Sequence, residues 1–351
     1  MSFLKKLGKA SADLIPGLGK FTYDNDSGKI FVTSGTGVIG YRVALSLLEA
    51  GHKDVRVGIF EGDRQGMSDG FGKSIAEILE QKGAEVIEFN WAQEENYSVA
   101  LDDVKTVFCT LPHIEGWADM FPTFLKICKQ KKTVEHFVKI SFLRPTHAFK
   151  GVAEIARMYR ENVPFVSFHG TCDDILQQAK SDSRISYTII CTSHLMATPL
   201  LAQGKLLREE HKFITASYGM GVNYCSPNDV ADAAVVVLLN QKPHRNQVYN
   251  ITGPGPTKDS EIAELLTKKY GTPIEHIQLG YHDYAKDIKK RGLPKWQVRD
   301  SASMERMKAH GLDEHKSSYT EDLFKITGRE PETFEGYLDN KTCMRPGLQF
   351  P

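Results

Sequence analysis

The sequence predicts an α/β fold, a doubly wound parallel sheet with a smaller C-terminal α/β region. Three observations carry that prediction. Short runs rich in β-branched and aromatic residues alternate with helical stretches along the first half of the chain. The first of these runs leads straight into a glycine-rich turn and then an amphipathic stretch. With 351 residues, the chain is long enough for one large α/β unit or two smaller ones.

The elements follow in order. Ile30-Phe31-Val32 is a short buried strand, and Thr33-Ser34-Gly35-Thr36-Gly37-Val38-Ile39-Gly40 is the turn after it. Gly35, Gly37 and Gly40 stand in G-x-G-x-x-G spacing. One glycine allows the tight turn, the next lets backbone approach a pyrophosphate, and the third lets helix and strand pack closely. The helix start beyond it offers N–H groups and a partial positive charge to phosphates. A dinucleotide site of the Rossmann type is therefore expected, with Thr33, Gly35, Thr36, Gly37, Val38, Ile39 and Gly40 as its contacts. The helix runs through Arg42–Ala50 and ends at Gly51. Strands are predicted at Val55–Phe60, Ala84–Phe89, Val104–Cys109 and Val134–Ser141, with helices at Lys73–Lys82 and Met120–Gln130 between them. Further helices are predicted at Ile155–Glu161 and Cys172–Lys180, and a sixth strand at Ser186–Cys191. Ser226-Pro227 opens a strongly helical stretch, Asn228–Leu239. Gln247–Thr252 reads as a strand and Lys258–Tyr270 as a helix stopped by Gly271. From Ile274 onward a cap of helices around a short strand is expected. The expected division is an N-terminal extension over 1–28, a dinucleotide-binding core over 29–200 and a smaller substrate or partner region over 201–351 interleaved with the core.

Composition narrows the function. Apolar residues make up 41% and charged residues 25%, ordinary for a globular protein. Lys plus Arg equals Asp plus Glu at 44 each, so no global charge draws the chain to nucleic acid. No apolar run approaches the roughly 20 residues of a transmembrane helix. The six cysteines form no C-x-x-C pair, which fits free thiols in a reducing compartment and a cytoplasmic location. Residues 1–20 are basic and loosely amphipathic but lack a signal-peptide core, so they read as a packed arm or a tail. No histidine or cysteine spacing matches a metal motif, and none is expected.

Several segments together resemble one family. Val32–Gly40 is similar to its V-T-G-A-T-G-x-x-G turn, with Ser34 in place of the first glycine. His136-Phe137-Val138-Lys139-Ile140-Ser141 is similar to its H-x-V-x-x-S strand, and His169-Gly170 before Asp173-Asp174 to its H-G-x-x-E segment. Ser186–Ile190, Asp229-Val230-Ala231-Asp232 and Val248–Pro254 resemble its P-Y-T-I-L, D-V-A-D and Y-x-L-T-G-P motifs. Thr327-Gly328-Arg329-Glu330-Pro331-Glu332-Thr333-Phe334 resembles its T-G-R-x-P-x-T-F motif. Over nearly the whole chain the sequence thus resembles the NmrA-like family of atypical short-chain dehydrogenases/reductases.

The resemblance implies a bound NAD or NADP. An acidic residue after the second strand binds the ribose hydroxyls of NAD, whereas an arginine there accepts the 2′-phosphate of NADP. Glu61 stands near the expected spacing of about 20 residues past the turn, which favours NAD; Arg64 is the residue that would take a 2′-phosphate. Asn90 and Trp91, after the third strand, are expected near the adenine. Thr110, Leu111 and Pro112, after the fourth, are expected along the path to the nicotinamide. The Y-x-x-x-K pair of ordinary short-chain dehydrogenases is absent from its usual place: Tyr159 is followed by Val163, and the match Tyr337–Lys341 falls near the C-terminus. The substitute acid or base is His169, whose ordinary pKa suits proton transfer, with Ser141 and Lys139 turned to one face of the fifth strand. The competing reading of His169 is a helix-start residue bonded locally. Cys172, if near a helix start, would have a lowered pKa. Three functions fit these residues: an oxidoreductase acting on a small carbonyl, quinone or alkene, a non-catalytic NAD(P)-dependent redox sensor that binds a protein partner, and a structural subunit of a larger assembly, which the basic N-terminal arm would support.

Overall fold

A computed structural model of the chain describes residues 27–60, 74–143, 153–182 and 184–340. Its main sheet is built from β1 (Lys29–Val32), β2 (Val55–Ile59), β3 (Glu85–Glu88), β4 (Val104–Cys109), β5 (His136–Phe142), β6 (Ser186–Thr192) and β10 (Gln247–Ile251). The spatial order is β3-β2-β1-β4-β5-β6-β10, and every neighbouring pair is parallel. The direction of winding reverses between β1 and β4. A crevice for ligand therefore lies beyond the carboxyl ends of those two strands.

Parallel strands covered on both faces read as continuous apolar runs rather than alternating ones. β2 and β5 are buried at every position. One face is covered by α1 (Val38–Glu49), α2 (Ile75–Gln81), α8 (Pro227–Leu239) and α12 (Asp322–Thr327), whose apolar side chains share a core with β1 and β2. All of α8 is buried, which explains its apolar residues all round. Ser226 caps it by accepting from the Asn228 N–H, and Pro227 occupies the first turn, as the sequence predicted. The other face is covered by α3 (Glu95–Ala100), α4 (Trp117–Gln130) and α6 (Pro164–Asp182), packed on Phe31, Phe89 and Phe137.

One helix differs from its prediction. The segment expected to turn helical at Cys172 is already helical from Pro164, directly after α5 (Ala153–Asn162). Proline suits a first helical turn, and an interior glycine costs only about 1 kcal/mol. Gly170 has a packing reason as well: a Cβ there would sit 2.7 Å from Arg160 Nε, and Arg160 pairs with Asp174 on the same helix. His169 thus lies inside the helix and is not a helix-start residue.

Beyond β6 the chain builds two small sheets; the short strand expected after Ile274 is there, but its partner strands were not announced. β11 (Pro256–Lys258), β9 (Gly221–Cys225) and β7 (His194–Leu195) form one, and β12 (Glu275–Gln278) pairs with β8 (Lys212–Thr215) in another. Helices α7 (Ala197–Ala202), α9 (Asp259–Tyr270), α10 (Tyr281–Lys290), α11 (Lys295–Lys308) and α13 (Phe334–Asp339) surround them. From this region the chain returns to the main sheet twice, first through α8 and β10 and later through α12. Among the described residues no helix is long and apolar enough to cross a membrane.

Candidate active site

The glycine turn sits at the carboxyl end of β1, beside the reversal point. Each glycine answers a different contact. A Cβ on Gly35 would lie 2.1 Å from Val57 Cγ1, and one on Gly40 would lie 1.9 Å from the Ser34 carbonyl oxygen. Those two are needed for packing. A Cβ on Gly37 would meet nothing nearer than 3.4 Å. Protein packing therefore does not require glycine at 37, where the motif brings backbone against a pyrophosphate. Gly37 precedes α1 in an extended conformation with no side-chain cap, the local geometry in which a helix start can take an anion. Thr33 Oγ1 donates to the Thr110 carbonyl at 3.1 Å and accepts from the Thr110 N–H at 3.2 Å, and Ser34 Oγ donates to the same carbonyl at 3.1 Å. This ties the turn to the end of β4 and sets Thr110, Leu111 and Pro112 alongside it. The serine that replaces the family's first glycine thus has a structural bond of its own. Thr36, Val38 and Ile39 complete the turn. Ala92 N–H donates to Asn90 Oδ1 at 2.9 Å, while the Trp91 ring is buried against Phe89, Tyr97 and Phe124. Of that pair, Asn90 is the one with partial exposure. Glu61 and Arg64 lie outside the described residues.

Lys139, Ser141 and His169 do come together, but around a fourth residue. Lys139 Nζ donates to Asp173 Oδ1 at 2.8 Å and Ser141 Oγ donates to Asp173 Oδ2 at 2.6 Å. Lys139 Nζ also lies 3.3 Å from His169 Nδ1, so that nitrogen accepts and the neutral ring carries its proton on Nε2. Strand alternation puts Lys139 and Ser141 on the face that meets α6, as the sequence implied. Lys139 and Asp173 are fully buried and His169 nearly so. Burial, then the Lys139 ammonium, hold the His169 imidazole well below its usual value. It stays neutral at physiological pH. Cys172 next to this group is not activated: burial pushes its thiol up to about 11. The sequence showed Asp173 only as part of a motif; its role as the shared acceptor depends on a strand and a helix meeting face to face.

A cavity of about 520 Å³ opens beyond the ends of β4, β5 and β6. That is a normal size for a small-molecule site. Its core-side wall is His113, Phe142, Phe165 and the Thr192–Leu195 segment; its far wall comes from β9, α10 and α11, with Tyr224, Tyr284, Asp300, Met304, Glu305 and Lys308. Phe165, whose ring centre is 4.6 Å from that of His169, lines the cavity. The far wall has a fixed polar network. Lys308 Nζ donates to Glu305 Oε1 at 2.6 Å and to Tyr224 Oη at 3.2 Å, and Tyr224 Oη donates to Asp259 Oδ1 at 2.8 Å. Burial alone would lower the Lys308 ammonium, but Glu305 and its neighbours hold it well above its usual value. The His194 ring on the opposite side is kept neutral by burial and by Lys308. At the core-side wall, His113 Nε2 is 3.3 Å from Asp300 Oδ2. Sequence reading passed over this pair because its members are far apart in the chain.

A family model described as the NmrA-like family matches residues 26–338. The chain belongs to the NmrA-like family. Among similar proteins, an uncharacterised oxidoreductase, YesF, of Bacillus subtilis strain 168 is 24% identical over 309 residues, covering 88% of this chain and 93% of the relative. An NAD(P)H azoreductase of Xenophilus azovorans is 23% identical over 305 residues, covering 87% and 95%. The fold also matches the NADPH-dependent quinone oxidoreductase of Escherichia coli complexed with NADPH, with a TM-score of 0.66 at 21% identity, covering 87% of this chain and 97% of that one. These two relatives of the NmrA-like chain are named as oxidoreductases, and its doubly wound sheet is the fold of a dinucleotide-bound reductase.

Proposed function

We propose that this NmrA-like protein is an NAD(P)-dependent oxidoreductase that reduces a small, largely apolar carbonyl, quinone or alkene. The observation that carries the reading is the position of the 520 Å³ cavity, which opens at the carboxyl ends of β4, β5 and β6, the same edge of the sheet that carries the glycine turn, whose Gly37 is free of packing demands. The turn from Thr33 to Gly40 would hold the pyrophosphate. Thr110, Leu111 and Pro112 would run along the nicotinamide half, and Asn90 with Trp91 would mark the adenine end. The bound dinucleotide would supply a hydride to a substrate in the cavity. Azoreductase and quinone oxidoreductase names among its relatives support a flat, conjugated acceptor.

The network of Lys139, Asp173, Ser141 and His169 would act as a support. It fixes the end of β5 against α6 beside the cavity and keeps one buried cation paired. Choice of dinucleotide falls to Glu61 and Arg64. Glu61 favours NAD, whereas the dinucleotide in the structural neighbour is NADPH, which Arg64 would accommodate. Separate titrations with NADH and NADPH, followed by nicotinamide fluorescence, test the reading. Saturable binding and oxidation of the bound cofactor by a quinone or an aromatic aldehyde are expected. Binding with no turnover over a broad panel would return the sensor reading, and no binding of either dinucleotide would overturn both.

A further inference from the structure

We propose that His113, paired with Asp300, is the proton donor of this site. The inference rests on the oxidoreductase reading and adds the acid that the missing Y-x-x-x-K pair leaves unassigned. His113 directly follows Thr110-Leu111-Pro112, the stretch tied to the glycine turn through Thr33 and Ser34. It lines the cavity with its side chain 39% exposed. Its ring stands edge-on to Phe165 and to Trp296, with ring centres 5.0 Å away in each case, so its plane is held from two sides. Asp300, only 4% exposed, reaches across from α11 to Nε2. Its other oxygen, Oδ1, has no hydrogen bond among the described residues and lies 3.7 Å from Arg299 Nε. A nearly buried carboxylate against an accessible imidazole fixes the ring's orientation and tautomer. Nε2–H points to Asp300, which leaves Nδ1 without a hydrogen bond among the described residues and free to face a ligand. His169 does not compete for this role, because it is buried, neutral and already bonded through Nδ1 to Lys139.

The substrate class that suits the pair is a carbonyl or quinone whose oxygen gains negative charge. A reduced dinucleotide held by the turn from Thr33 to Gly40 would supply the hydride, and with it two electrons, to the carbonyl carbon. As the C–O π pair collapses onto oxygen, His113, protonated on both ring nitrogens, gives up its Nδ1 proton to form the O–H bond. The ring is left neutral, with Nε2–H on Asp300, and regains its proton from water at the cavity mouth.

The test uses the full chain as wild type, His113→Gln and Asp300→Asn. Nicotinamide fluorescence titration comes first, and all are expected to bind the dinucleotide within about twofold. With 9,10-phenanthrenequinone and 4-nitrobenzaldehyde, His113→Gln is expected to lose about 100-fold in kcat, in the ordinary range for a general acid, with KM little changed. Asp300→Asn is expected to lose less. Ring nitrogen-15 NMR of the dinucleotide-free protein provides a readout without turnover. Whenever its ring is neutral, His113 is expected as the Nε2–H tautomer in the wild type and as a mixture in Asp300→Asn. Equal kcat in His113→Gln, or a wild-type ring protonated at Nδ1 when neutral, would overturn the pair while leaving the oxidoreductase reading intact. Failure of the wild type to bind either dinucleotide would overturn that reading and the pair's role with it.

Discussion

Gly37 and Gly40 lie in one turn, yet the physical demands on them differ. Gly37 has an extended backbone that alanine also adopts, and a Cβ there meets only ordinary contacts. Gly37→Ala is therefore expected to change stability by less than about 1 kcal/mol, because the alanine also restricts the unfolded chain. It should weaken dinucleotide binding at least tenfold, read by fluorescence titration, because the methyl occupies the pyrophosphate's approach. Gly40→Ala pushes a Cβ into the Ser34 carbonyl, and is expected to cost about 1–3 kcal/mol in urea denaturation. Equal stability of the two variants would sink this division of labour. At the same scale, His136 should make the protein acid-sensitive. Its ring nitrogens face Ser186 Oγ at 2.8 Å and Thr188 Oγ1 at 3.1 Å, and burial, reinforced by Arg245, lowers its pKa to about 3. An unfolded histidine titrates near 6.5, so the unfolded chain binds more protons between those values. The stability this group contributes is complete above about pH 6.5 and is lost as pH falls toward 3. Asp229 and Asp313, both raised by burial to about 6, act in the opposite sense between about pH 4 and 6. The comparison must therefore be with His136→Gln, whose stability deficit should shrink by about 2 kcal/mol between pH 7 and pH 5. A deficit that stays constant with pH would show that the ring is not held neutral.

Two motifs that looked separate in the sequence form one clamp between elements. Arg329, after α12, donates through Nη2 to Asp229 Oδ1 at 2.9 Å and Asp232 Oδ2 at 2.7 Å on α8. Glu332 N–H donates to Asp229 Oδ2 at 2.8 Å, and Ser226 and Asn228 donate to the Glu332 carboxylate. The D-V-A-D and T-G-R-x-P segments thus bind the C-terminal stretch to a helix that is itself packed on α1. Arg329→Met leaves two buried carboxylates without their shared cation. The expected cost is about 3–5 kcal/mol at pH 8, measured by chemical denaturation. The loss should be smaller at pH 5.5, where Asp229, already raised to about 6, takes up a proton. A loss that grows at acid pH would overturn the clamp's electrostatic origin. Elements of this kind also show what was legible beforehand. The strand–turn–helix around Gly35–Gly40, the capped start of α8 and the paired face of Lys139 and Ser141 are local patterns, and the sequence announced each of them. The continuous helix through Gly170 was missed because its glycine is tolerated by a tertiary contact with Arg160. Asp173 was visible only as a motif letter, and β7 and β8 are too short to carry a periodic signal.

At the scale of the whole molecule, the active cavity belongs to neither part of the chain alone. His113, Phe142 and Phe165 come from the main sheet and its helices, whereas Asp300, Ser301, Met304 and Glu305 come from α11. Long separation along the chain is why sequence reasoning singled out the glycine turn but not the far wall of the cavity: nothing local marks Asp300 as the neighbour of His113. The same geometry makes the two binding functions separable. The glycine turn is fixed by β1, β2 and the Thr110 contacts, none of which involves α11. Ser301 lines the cavity from α11 next to Asp300, and it is only partly buried. Ser301→Trp would put an indole into the space a flat acceptor must occupy, without removing a packed side chain. Dinucleotide affinity is expected to stay within about twofold, while KM for the quinone rises at least tenfold, an effect of about 1.4 kcal/mol or more on substrate binding. If dinucleotide binding and quinone reduction fell together, the cavity and the glycine turn would be one site, and α11 would have to be assigned to holding the cofactor rather than to choosing the substrate.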